Sequence, residues 1–196
     1  MKIKNIINQK NKKGFTLIEL LVVIAILAVL MSVIVITLNP SEMLKKSRDS
    51  RRIADLSALR TALNLYLSED YNFSGYTTYA YISVPLASAG TCTASYCGGK
   101  TCYCAASTAY RSIGTTGWVP INFNVLTMKS PLSALPIDPT NSTSSGYYYL
   151  FAASSSNTHF ELNAKLESTN NSNLMSVDGG NNSSWYEIGS DLTILN

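Results

Sequence analysis

The chain has 196 residues, 14% of them charged, and a formal net charge of +3 at neutral pH. Five of its fifteen basic residues stand before residue 14, so the rest of the chain carries ten bases against twelve acids. That balance leaves no clustered basic face for nucleic acid. A single histidine, His159, and the lack of a phosphate loop or nucleophile motif give no support for an enzyme or for a bound cofactor.

The first element is the one around which the chain is organised. Lys2, Lys4, Lys10, Lys12 and Lys13 precede an apolar run from Phe15 to Leu38, whose single charge is Glu19. As a helix the run is about 36 Å long, enough to cross a bilayer core of about 30 Å. Its basic flank predicts a cytoplasmic N-terminus and a translocated remainder. A secretory signal has a shorter apolar region and a small-residue cleavage site behind it, whereas Asn39-Pro40-Ser41 follows here. A plain anchor accounts for the length but not for Glu19, since a carboxylate one turn into an apolar helix costs a few kcal/mol and marks a functional position.

Lys12-Lys13-Gly14-Phe15-Thr16-Leu17-Ile18-Glu19-Leu20 resembles the processing site of type IV pilins and of type II secretion pseudopilins. The resemblance implies a leader, 1–14, removed by a membrane prepilin peptidase and methyltransferase that cuts after Gly14 and N-methylates Phe15. It also implies that Glu19 sets subunit register in a homopolymer built on an inner-membrane assembly platform. The subunit is then expected in the cytoplasmic membrane, in contact with lipid, before assembly and in a surface or envelope filament afterwards. Other expectations are an uncleaved membrane-anchored binding module, or a minor pilin for DNA uptake or adhesion. Pilus and secretion pseudopilus share this N-terminal logic and are not separated by it.

Asn39-Pro40-Ser41-Glu42 reads as a helix start, with Asn39 as N-cap, Pro40 at the first helical position and Glu42 completing a capping-box pattern. A break is therefore expected near Leu38–Pro40. The segment 39–68 is amphipathic. Ile53, Leu56, Leu59, Leu63 and Tyr66 form its apolar stripe, while Lys45, Lys46, Arg48, Asp49, Arg51, Arg52, Asp55 and Arg60 mostly occupy other faces. Packing of the stripe on a sheet is favoured over a membrane-surface helix. Lys45 to Arg52 remain available for headgroups or a neighbouring subunit's acids.

Residues 69–196 are expected to form a β-rich head with a Cys-rich loop at 92–104. The stretch 71–130 shows no strong periodicity, and Trp118 to Phe123 reads as an edge strand or a docked loop. Leu135-Pro136-Ile137-Asp138-Pro139 is similar to the stretch before the first sheet strand of pseudopilins. Tyr147–Phe151 and the strictly alternating His159–Leu166 predict a hairpin with one face buried. Trp185–Ile188 is a third strand and Leu192–Leu195 a possible tail strand. The fold expected is α+β and pilin-like: a long hydrophobic-then-amphipathic helix packed on a small antiparallel sheet.

Cys92, Cys97, Cys102 and Cys104 lie in Cys-x4-Cys-x4-Cys-x-Cys, and translocation makes disulfides the default. Pairing Cys102 with Cys104 needs an unusually tight loop, which leaves 92–102/97–104 and 92–104/97–102 open. The spacing lacks the paired Cys-x2-Cys knuckles of a zinc site. Asp178, Asn181 and Asn182 have oxygens suited to calcium, but Asp-Gly-Gly-Asn is first an ordinary turn.

Overall fold

The computed structural model describes residues 14–196, with the side chains of 36–38 excepted. Apart from Gly14, the expected leader lies outside the described residues. The chain divides into two compact units, Met1–Ser41 and Glu42–Asn196.

In the first unit, helix α1 spans Leu17–Leu38, and Thr16 is its N-cap. From Gly14 to Val35 every residue is exposed. A helix that is apolar all round buries no face on its own. α1 ends at Asn39, whose φ of 41° is left-handed. Asparagine tolerates this conformation at a helix C-terminus. Asn39, expected as the N-cap of the next helix, therefore serves as the C-cap of α1, and Pro40 opens α2, which spans Pro40–Ser68.

The second unit is built on a six-stranded sheet: β1 Tyr79–Leu86, β2 Gly90–Thr91, β3 Thr101–Ala106, β4 Tyr149–Ala153, β5 Phe160–Ala164 and β6 Tyr186–Gly189. The spatial order is β2-β3-β1-β4-β5-β6. All neighbours are antiparallel except β1 and β3, which run parallel, so the sheet is mixed where a purely antiparallel one was expected. The β1–β3 register shifts between Ile82 and Leu86. Pro85 lies within that interval and has no N–H to give the ladder.

One sheet face packs on α2. Leu56, Leu59, Ala62 and Leu63 meet Tyr81, Tyr149, Phe151, Phe160, Leu162 and Ala164. Trp118, Val119, Ile121 and Phe123 fill the same core from a docked loop. The stripe was read correctly at Leu56, Leu59 and Leu63, but it continues upstream through two charged residues, Asp49 and Arg52, both fully buried. The opposite face was expected to be solvated and is not. Ala80, Ile82, Tyr148, Leu150 and Ala152 lie under Trp185, Leu195 and the cysteine loop. All five residues of β4 and all five of β5 are buried, because the sheet has a cover on each side. The expected tail strand is instead a capping segment whose Leu195 is wholly buried.

Candidate functional site

Gly14, Phe15 and Thr16 form the extended lead into α1. A Cβ placed on Gly14 would meet no atom within 4 Å, so no contact among the described residues requires glycine there. Phe15 is 79% exposed and makes no packing contribution. Glu19 closes a capping box: Thr16 N and Thr16 Oγ1 donate to its carboxylate at 2.9 and 2.8 Å, and Glu19 N donates to Thr16 Oγ1 at 3.3 Å. The Thr-x-x-Glu spacing of residues 16–19 is the sequence signal for this box. While residue 14 remains attached, the nitrogen of Phe15 is a peptide amide, and Thr16 satisfies the carboxylate instead.

The second constellation lies on the buried stripe of α2. Arg52 forks onto Asp138 at 2.6 and 3.0 Å, donates to Asp49 at 2.9 Å, and reaches Glu167 at 2.6 Å. Asp49 accepts from the amides of Glu167 and Ser168 at 2.8 and 2.9 Å. Arg48 pairs with Glu167 through Nε at 2.9 Å, and Glu42 accepts from Ser168 and Thr169. Arg48 and Arg52 were expected to reach headgroups or a neighbour, but they are bound inside their own unit. Burial opposes the charge on Arg52, and its bonds to Asp138 and Glu167 more than offset that, so the guanidinium stays ionised. The Ser168 hydroxyl, working against burial and joined by Thr169 and Lys45, holds the Glu42 carboxyl down to about 2. The proline-punctuated stretch 131–139 thus supplies an acid for a buried arginine. It precedes β4, the fourth strand in chain order and not the first.

Among the cysteines, Cys92 pairs with Cys104 and Cys97 with Cys102, at Cα separations of 5.9 and 5.5 Å. Of the two connectivities left open by spacing, this is the nested one. It ties the loop 92–104 over the second sheet face, and Tyr96 from that loop stacks on Trp185 at 5.0 Å.

The loop holding Asp178, Asn181 and Asn182 is a turn whose side chains make hydrogen bonds within the fold. Asp178 accepts from Gly180 N at 3.0 Å and from Glu187 N at 2.8 Å. Asn181 bonds Asn196, and Asn182 accepts from Ser184 N. His159 lies just before β5 and is exposed.

The described residues include one helix, Leu17–Val35, long and apolar enough to cross a membrane, which is consistent with membrane insertion. The family model for the prokaryotic N-terminal methylation motif matches residues 9–35. Searches of curated proteins and of solved structures returned no match. Residues 9–35 are thus similar to the N-terminal methylation motif of pilin-type proteins, and the exposed apolar helix and α+β head are consistent with that type.

Proposed function

We propose that the chain is a prepilin-like precursor, cleaved after Gly14 and N-methylated at Phe15, that polymerises through α1 into a type IV pilus or a secretion pseudopilus. The division follows: a leader at 1–14, a membrane and filament-core helix at 15–38, an amphipathic helix at 39–68 and a head at 69–196. The observation that carries the reading is α1 itself. It presents sixteen large apolar side chains from Phe15 to Val35, all exposed. At about 1.5–3 kcal/mol per side chain, leaving them in water costs tens of kcal/mol, so the helix belongs in lipid or among other helices. The glycine that no contact among the described residues requires points the same way, since its requirement then lies in an outside reader, a prepilin peptidase.

Glu19 has a partner at each stage of this scheme. In the precursor Thr16 caps it. Cleavage gives Phe15 an α-amine, and the amine of a neighbouring subunit in a staggered bundle replaces Thr16 as the carboxylate's partner. Removing one member of a desolvated pair costs about 3–5 kcal/mol, enough to decide register. Glu19→Ala is expected to insert and be cleaved normally but to assemble poorly, as read by shearing filaments from cells and weighing the subunit. Normal filaments from that variant would refute the role of Glu19. Gly14→Ser is expected to leave the leader in place, and mass spectrometry finding Phe15 at the N-terminus of that variant would refute the cleavage site. A wild-type chain that keeps its leader and stays monomeric would make it a membrane-anchored module instead.

A further inference from the structure

Strands β5 and β6 bring two acids together on the sheet face turned away from α2. Asn163 is directly opposite Glu187 in the ladder, and Glu161 is the diagonal neighbour on the same face. Glu161 and Asn163 are fully buried and Glu187 is 2% exposed. The register therefore sets the two carboxyl side chains side by side on one buried face. Glu161 Oε2 accepts from Ile194 N and Leu195 N, both at 2.9 Å. Glu187 accepts from Asn163 Nδ2 at 3.3 Å and from Asn182 N at 3.1 Å. The other oxygens, Glu161 Oε1 and Asn163 Oδ1, are buried and have no hydrogen-bond partner.

The charged groups that act most on Glu187 are acids, Glu161 and, from the turn before β6, Asp178. From the cysteine loop the pair faces Tyr96, whose ionisation burial pushes up, with both carboxylates adding to the effect. Just before β4 stands Tyr148, whose hydroxyl is bonded to the Tyr96 backbone. A buried pair of ionised carboxylates facing each other, with no counter-charge beside them among the described residues, is not tenable, and one proton between them removes the conflict.

We infer that Glu161 and Glu187 share a single proton and together form a pH-sensitive latch for the C-terminal tail. The charge resides on Glu161, which two backbone N–H groups stabilise, and Glu187 donates its proton to the unpartnered Oε1. The tail held this way carries Leu195, which is fully buried and fills the space over Gly98 of the cysteine loop. Burial pushes both carboxyl groups up, and Glu161 and Asp178 add to the effect on Glu187, which rises to about 7. A raised folded value means that the latch is intact below the unfolded value of 4.5 and weakens as pH rises through about 7.

The test is hydrogen exchange by mass spectrometry on the full chain in detergent micelles, following the C-terminal peptide with EDTA present throughout. After correction for intrinsic rates, protection of Ile194 and Leu195 is expected to fall about tenfold between pH 6 and pH 8. Glu187→Gln, a neutral stand-in for the protonated acid, is expected to keep its protection at pH 8. Protection in the wild type that does not change with pH, or a Glu187→Gln chain with the wild-type pH dependence, would overturn the inference. So would a tail protected at pH 6 only when EDTA is left out, because a metal ion then balances the charge. If Glu187→Gln does not fold, the infrared carbonyl band of a protonated carboxyl decides. It is expected in the wild type at pH 6 and gone at pH 8, and its absence at pH 6 overturns the shared proton.

Discussion

Replacing Arg52 by methionine separates the buried ion cluster from ordinary packing. Methionine has enough length to fill much of the space, so the main loss is electrostatic. Arg52 has no exposed side-chain surface, and neither do its partners Asp49 and Asp138, while Glu167 retains 9%. Without the guanidinium three carboxylates face one another, and only Arg48 remains nearby, on Glu167. Orphaning buried charges in this way costs about 3–5 kcal/mol. For a head of this size about 2–4 °C is lost per kcal/mol, so Tm should fall by roughly 6–20 °C at pH 7. The assay is thermal unfolding of the full chain in detergent by near-ultraviolet circular dichroism, with exposed Arg60→Met as the control.

The pH dependence adds a sign. Arg48 first, and then Arg52, hold the Glu167 carboxyl below its usual value. In the wild type this contribution is present above the unfolded value of 4.5 and is lost as pH falls through the lowered folded value. In Arg52→Met the Glu167 carboxyl keeps only one of the two guanidinium groups that hold it down, so the deficit should shrink as pH falls below 4.5. A Tm within about 2 °C of Arg60→Met at pH 7, or a deficit that widens on acidification, would refute the reasoning.

Two further predictions concern the second sheet cover. Serine pairs replacing Cys92 and Cys104 should cost about 3 kcal/mol, and those replacing Cys97 and Cys102 about 2 kcal/mol, because the enclosed loops differ in length. The sequence separations are 12 and 5 residues. Urea denaturation measures both, and the reverse order would contradict the loop argument. Gly98 and Gly99 both have positive φ, but only Gly98 lies against Leu195. Gly98→Ala should therefore lower Tm more than Gly99→Ala, whose backbone strain alone is roughly 1–2 kcal/mol. Equal losses would show that Leu195 is not docked there.

What the sequence disclosed was local, and what it hid was long-range. The apolar run, the helix-spaced leucines of α2 and the alternation around Phe160, Leu162 and Ala164 each announce a face through their own period. The strand β1 does not, because its partner β3 is parallel and its Pro85 interrupts the ladder, so neither a turn nor a clean alternation marks it. Glu161 and Asn163 look solvated on alternation alone. They are buried because residues 92–104 and 190–196 return over them, and no local pattern reports that. Arg52 was assigned to the polar surface by its charge, although steps of three and four from Asp49 through Arg52 to Leu56 place it on the apolar stripe. Asp138 and Glu167, which make its burial tolerable, are far away in the sequence. Thr16 is different: the Thr-x-x-Glu spacing of its capping box lies wholly within the local sequence.

Thr16 also bears on how an apolar helix is directed into one assembly. Lipid tails are as apolar as leucine, so transfer of α1 from bilayer to bundle gains little from hydrophobic burial, and packing and polar contacts must supply the preference. On the proposed reading Glu19 is the one charged group of α1, and its state before assembly sets how much it can contribute. A carboxylate already bonded to Thr16 N and Oγ1 is not a bare charge in lipid, which lowers the cost of holding it there before assembly. The donors of that cap are neutral, however, and leave the carboxylate without a counter-charge, which only a cation supplies. The exchange of Thr16 for a neighbour's amine is therefore favourable only after Phe15 becomes an N-terminus. Cleavage at Gly14 would then act as the licence for assembly through one electrostatic contact, with no change needed elsewhere in the helix.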